Sequence, residues 1–372
     1  GLLAPGLAAL VGCSDPAPPP APSTAGTGGV AGSSGSGGSA GSSAGSAGSA
    51  GVGGDTGGTG GVGGGGSGGS GGLVLTEPML LSEAGLYSDI ATGTLAPDVI
   101  EFTPQFALWS DGAAKKRWIK LPAGAQINTA DMNFWDYPAG TKFFKEFERD
   151  GVRVETRLIM KKSPGVWFMM PYKWRDDMMD ADALPAGEAN ARGTTHDIPS
   201  QEDCGTCHNA MRDRVLGFTA VELAHNNGGF NLAQATAMGM LTAPPVAEPV
   251  VPGDEVAKAA IGYLHVNCGM CHNYKSKIYS NGTQVDMWLQ TDKLTTLEET
   301  PTYLTLVNQD TTTELTLLPK RIAPGDTANS AVFELMNRRG DDASMPPLGT
   351  EITDTAGGIA AIEAWINALP PP

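Results

Sequence analysis

The sequence predicts an α+β multidomain chain, with an antiparallel β-rich N-terminal module followed by two mainly α-helical modules. Three observations carry that prediction. Residues 101–174 hold runs of alternating apolar and polar side chains broken by Gly and Pro turns. Helix-start signals gather only after residue 200. Residues 14–72 are almost entirely Gly, Ser, Ala, Thr and Pro, with no side chains to offset their ordering entropy. What remains of the 372 residues, about 300, suffices for two or three compact modules.

The chain begins GLLAPGLAALVGCSD. Residues 1–12 are apolar or small and too short to span a bilayer, so they read as the end of a signal peptide. The stretch Leu10-Val11-Gly12-Cys13 resembles the bacterial lipobox, which makes Cys13 the expected lipidation site. Residues 13–72 then form a lipidated cysteine and a disordered tether, on the order of 40 Å across on average. Ser14 after the cysteine points to the outer membrane of a Gram-negative cell, facing the periplasm or the cell surface. The formal charge of −16 argues against nucleic acid and against attraction to anionic lipid, which leaves the lipid anchor as the membrane contact.

Residues 73–190 are the β-rich module. In KFFKEFERDGVRVETRLIM two alternating runs meet at Asp150-Gly151, a pair suited to the positive φ of a tight hairpin. Val152, Val154, Thr156, Leu158 and Met160 share a face, while Phe143 and Phe147 flank Lys145. KRWIKLP and VWFMMPYKW supply further strands. Residues 191–250 open a helical module with Ser200 as N-cap and Asp203 at the capping-box position. Residues 251–372 open with Asp254 as N-cap of a helix whose stripe is Val256, Ala260, Tyr263 and Asn267. They close with a helix capped by Asp354, on the stripe Ile359, Ile362, Ile366 and Leu369.

Cys13 aside, the four cysteines all fall into C-x-x-C-H: Cys204, Cys207 and His208, then Cys268, Cys271 and His272. This is the attachment pattern of c-type haem. Two thiols two residues apart reach both vinyl groups, and the next histidine lies under the iron as proximal ligand. A four-cysteine zinc site brings its pairs within ~15–20 residues, and neither zinc nor a disulfide calls for a histidine after both pairs. The expectation is two covalently attached haem c groups. For the second iron the distal candidate is Met345, held on a stiff loop by Pro346 and Pro347, with Met336 and Met287 as rivals. Arg338 or Arg339 is the candidate partner of a propionate. For the first iron the choice stays open among His225, Met240 and His196, with Met238 beside them, whereas His265 reads as a surface or packing residue.

These stretches, with LWSDGAAKKRWIKLP, IPSQEDCGTCHNA and RIAPGDTANSAVFELMNRRGDDASMPPLG, resemble a family of bacterial dihaem c-type cytochromes of unassigned role over residues ~100–370. The resemblance implies two cytochrome c-like haem modules, the second (251–372) class I-like with Met345 as distal ligand, and a last helix packed on that of Tyr263 and Leu264. It implies electron transfer between redox partner proteins without chemistry on a substrate. The alternatives are a dihaem peroxidase with one open haem, or an electron-accepting subunit docked to a dehydrogenase. No carboxylate dyad, nucleophile–base pair or phosphate loop points to a hydrolase or transferase.

Overall fold

The computed structural model describes residues 75–347 and 349–371; the signal remnant, Cys13 and the tether lie outside them. Two short strands, β1 (Tyr87–Asp89) and β2 (Thr94–Leu95), pair as a ribbon. Six more form one antiparallel sheet in sequence order: β3 (Ile100–Glu101), β4 (Ala114–Lys120), β5 (Lys142–Arg149), β6 (Val152–Ser163), β7 (Val166–Trp174) and β8 (Ala181–Ala183). The β5–β6 hairpin turns where expected. Asp150 and Gly151 take φ of 53° and 76°, the sign that a two-residue hairpin matched to strand twist requires.

Alternation gives the sheet two dissimilar faces. On one, Trp118, Phe144, Leu158, Met160, Tyr172 and Trp174 pack under Leu81 and Leu86 of the N-terminal segment. On the other, Ile119 and Phe143 pack against Phe218, Leu223, Leu232 and Met240 from beyond the first C-x-x-C-H motif. Each such fully buried side chain contributes roughly 1.5–3 kcal/mol, so the motif-bearing segment is bound to the sheet and not strung after it.

The helices are α1 (Gln201–His208), α2 (Ala220–Leu223), α3 (Leu232–Ala237), α4 (Glu255–Asn267), α5 (Pro301–Leu306), α6 (Ala331–Asn337) and α7 (Ala360–Ala368). Their starts follow the sequence signals. Ser200 and Asp203 complete a capping box on α1, and Asp254 accepts the Ala257 N–H at 2.8 Å. The α7 stripe is buried as expected. On α4 the buried face is Ala257, Ala260, Ile261 and Leu264, and Val256 is exposed. The α4 and α7 helices pack together around Ile261, Leu264, Ile362, Trp365 and Ile366, as the resemblance implied.

The fold class itself is corrected. The expected two mainly helical modules are not found: the architecture is built on the six-stranded sheet, with short helices of 4 to 13 residues separated by long irregular segments. The described residues form a single compact unit. The physical reason lies in Pro-, Gly- and Thr-rich stretches such as TTTELTLLPK, which stop the helical period, while the free sheet face offers apolar surface that short helices alone could not bury. Among the described residues no helix is long and apolar enough to cross a membrane.

Close packing marks Gly262, inside α4, where a Cβ would lie 2.1 Å from Cε1 of Phe106. Gly262→Ala is therefore expected to lower stability by roughly 1–3 kcal/mol despite the better helix propensity of alanine. Urea denaturation would show a lower midpoint; an unchanged or raised one would mean the ring yields freely.

Candidate functional site

The first motif lies inside α1, where the helical turn carries Cys204, Cys207 and His208. His208 Nδ1–H donates to the Arg214 carbonyl at 2.5 Å. That bond leaves Nε2 as the ring's unprotonated nitrogen, and burial pushes the imidazole down to about 4. The second motif begins where α4 ends. Cys268 is the C-cap, and the His272 N–H closes one further turn onto the Cys268 carbonyl at 2.8 Å.

Two asparagines hold this second turn. Asn273 is fully buried and donates to the Gly269 and Met270 carbonyls at 2.9 and 3.1 Å. Asn267 accepts from Trp109 N–H at 2.8 Å and donates to the Tyr263 carbonyl at 3.0 Å, tying the motif to the segment ahead of β4. Neither role was read from the sequence, although Asn273 directly follows Cys-His in a run that repeats as C-H-N in both motifs.

The motifs, 64 residues apart in sequence, meet in space. Cys207 and Cys271 both edge an apolar cluster of Phe134, Met211, Met270 and Trp288. The Phe134 and Trp288 rings stack at 5.5 Å, and Trp288 Nε1–H donates to the Asn133 carbonyl at 3.1 Å, so the β4–β5 loop lids the junction. Burial pushes every thiol up: Cys204 and Cys207 above the ordinary range, Cys268 to about 12, and Cys271 to about 11 with Cys207 adding to the effect. Thiols held protonated in this way are poor nucleophiles, which sets the pairs apart from dithiol oxidoreductase motifs.

The cofactor expectation is corrected here. Among the described residues no three or more His, Cys, Asp or Glu side chains gather into a group that could hold a metal ion. Within the first motif the polar atoms diverge: Cys204 Sγ lies 3.5 Å from the Ser200 carbonyl while His208 Nδ1 turns to that of Arg214. The two haem c groups expected from the sequence are accordingly not assigned to these motifs.

The remaining candidates fall as follows. Met345 is half-buried, its N–H donating to the Leu335 carbonyl at 3.0 Å and its carbonyl accepting from Arg339 at 3.3 Å. Met336 and Met287 belong to the α4–α7 core, and Met240 to the core between sheet and α3. His196 lies 2.7 Å from Glu155, which also holds Arg157, and His225 Nε2–H donates to the Thr103 carbonyl at 2.8 Å. Met238 is exposed. Arg338 pairs with Glu334. His265 is fully buried and packs on Trp288 with ring centroids 4.3 Å apart.

Beside the junction runs a feature that the sequence reading passed over. Arg117, Lys145 and Arg157 stand directly opposite one another across β4, β5 and β6, on the face turned to the first motif. Burial, then Arg117 and Arg157, hold the Lys145 amine well below the ordinary lysine range. Glu222 of α2 is 2 % exposed and its carboxyl is pushed up to about 8 by burial. Period two places Lys145 on the face of Phe143 and Phe147, an inward charge legible in FFKEF itself.

No family model matches the chain. No curated protein and no solved structure matches it either.

Proposed function

We propose that the chain carries electrons one at a time between partner proteins of the cell envelope, with one redox centre at each C-x-x-C-H motif. The observation that carries this reading is the meeting of the two motifs: Cys207 and Cys271 border the same cluster of stacked aromatic and sulfur-bearing side chains. Centres placed so close pass an electron through packed groups without moving the chain. The pushed-up thiols speak against nucleophilic exchange at the cysteines themselves, and so in favour of a relay over a dithiol enzyme. The envelope location rests on the sequence before residue 73.

The test is voltammetry of the full chain purified from the envelope in which it is made, with intact mass measured on the same sample. Two reversible one-electron waves are expected. Replacing Cys204 and Cys207 with Ala should remove one wave and leave the other. The mass identifies what the sulfurs carry. Four alkylatable thiols and a flat voltammogram would refute the proposal.

A further inference from the structure

An open cleft lies between the β1–β2 turn and the turn end of the β5–β6 hairpin, sharing no residue with either motif. Its volume is about 590 Å³, the size of a small-molecule site. Ile90, Val152 and Met178 give it an apolar wall, and Arg153, Arg192 and Glu148 give it charge of both signs. Arg192 is the anomaly. Its side chain is 9 % exposed and its Nε is buried without any hydrogen-bond partner. One terminal nitrogen donates to the Arg153 carbonyl at 2.9 Å and faces the Met178 thioether at 3.1 Å. Its one carboxylate, Asp176, is 3.5 Å away and fully exposed, where water screens the pair. A guanidinium so buried is costly unless an anion meets it. The chain also bends to place it. Met178, Asn190 and Arg192 take φ of 59°, 51° and 54°, a left-handed conformation that side chains such as Met and Arg keep only where their surroundings impose it.

The second cation is Arg153. It stands directly across the β5–β6 ladder from Glu148, yet turns to the face of Trp174 at 4.6 Å and brings Nε to 3.3 Å from Glu146. Among the described residues nothing engages its two terminal nitrogens. Glu148 stays exposed, and among the described residues no ion pair reaches it. Glu146, Glu148 and Asp176 thus surround two guanidiniums. A ligand of net negative charge is repelled there, whereas a neutral molecule that carries a carboxylate is not. We infer that the cleft binds an apolar α-amino acid, with its carboxylate on Arg153 and Arg192, its ammonium on Glu148, and its side chain against Ile90, Val152 and Met178. The planar guanidinium fork matches a carboxylate, and charge-assisted bonds at both ends fix the orientation. The site stands whether or not the motifs carry electrons.

Calorimetry on the full chain is the measurement and L-leucine the probe. Isocaproate, which lacks the ammonium, and leucinamide, which lacks the carboxylate, are the controls. Leucine should bind saturably, isocaproate at least about tenfold more weakly, and leucinamide without saturation. Arg192→Met should weaken leucine and isocaproate alike, with a melting curve to establish that the variant is folded. Glu148→Gln carries the test independently, because its side chain is exposed at the hairpin end and the fold does not lean on it. That variant should lose about tenfold in leucine affinity and leave isocaproate unchanged, since only leucine has an ammonium to strand. A residue that merely braced the hairpin would not tell the two ligands apart. Equal binding of leucine and isocaproate, leucinamide binding as tightly as leucine, or no saturable leucine binding overturns the site.

Discussion

Replacing Asp213 with Ala is expected to destabilise the protein by about 3–5 kcal/mol, the cost of removing one partner of a buried ion pair. Asp213 lies five residues beyond His208, and its carboxylate accepts from Lys161 of β6 at 2.7 Å, from the Tyr137 N–H at 2.6 Å and from Trp167 Nε1–H at 3.1 Å. Lys161 is 3 % exposed and its other partner is Asp136. Removing Asp213 therefore leaves an ammonium inside the fold with one acceptor fewer, and cuts the link between the sheet and the segment that follows the first motif. Asp213→Leu combined with Lys161→Met should recover much of the loss, because neither charge remains to be desolvated. Urea denaturation of the two singles and the double measures the coupling. Additive losses would show that the pair is not the unit acting here.

The first motif should loosen before the protein unfolds. The Arg214 carbonyl that orients His208 adjoins Asp213, so its position depends on the same network. In Asp213→Ala the backbone amides of residues 204–214 should exchange with solvent at denaturant concentrations where those of residues 267–273 stay protected. The second motif is held separately, by Asn267 and Asn273.

What was legible in the sequence was local. The Asp150-Gly151 turn, the Ser200, Asp254 and Asp354 caps, and the strands around Trp118 and Phe168 depend on residues within a few positions of one another. The pairing of α4 with α7 was expected only from the family resemblance, and the structure shows the two helices packed around a shared apolar core. Module architecture was not legible, because it turns on which surface each short helix covers. Phe218 and Leu232 could have buried themselves among helices; they cover Phe143 and Ile119 of the sheet. The meeting of Cys207 with Cys271 is likewise set by the sheet and the Phe134 loop, 64 residues of intervening chain giving no hint of it. Lys145 was legible on the face of Phe143 and Phe147, but that Arg117, Arg157 and Lys161 share this covered face is set by strand pairing. Their inward aim is a tertiary fact, and it is where most of the site's electrostatics resides.

Glu222→Gln should make the protein markedly less sensitive to alkaline pH. The Glu222 carboxyl ordinarily titrates near 4.5, and burial pushes it up to about 8, with Arg117 the largest opposing influence and Lys145 a smaller one. Between those two values the folded chain keeps a proton that the unfolded chain has released. Stability therefore falls as pH rises from about 4.5 to about 8, by on the order of a few kcal/mol from this one group. His265, whose Nε2 lies 3.6 Å from Glu222 Oε1, works in the other direction. Its Nδ1 accepts the Leu289 N–H at 3.1 Å, burial pushes it down to about 3, and its contribution is lost as pH falls from about 6.5 towards 3. That contribution is common to both proteins and cancels in the difference. Glutamine keeps the shape of a protonated carboxyl and cannot ionise. The variant should match the wild type near pH 5 and exceed it by a few kcal/mol at pH 9, as read from urea denaturation at pH 5, 7 and 9. Parallel stability curves for the two proteins across that range would mean Glu222 is ionised in the fold and paired with Arg117.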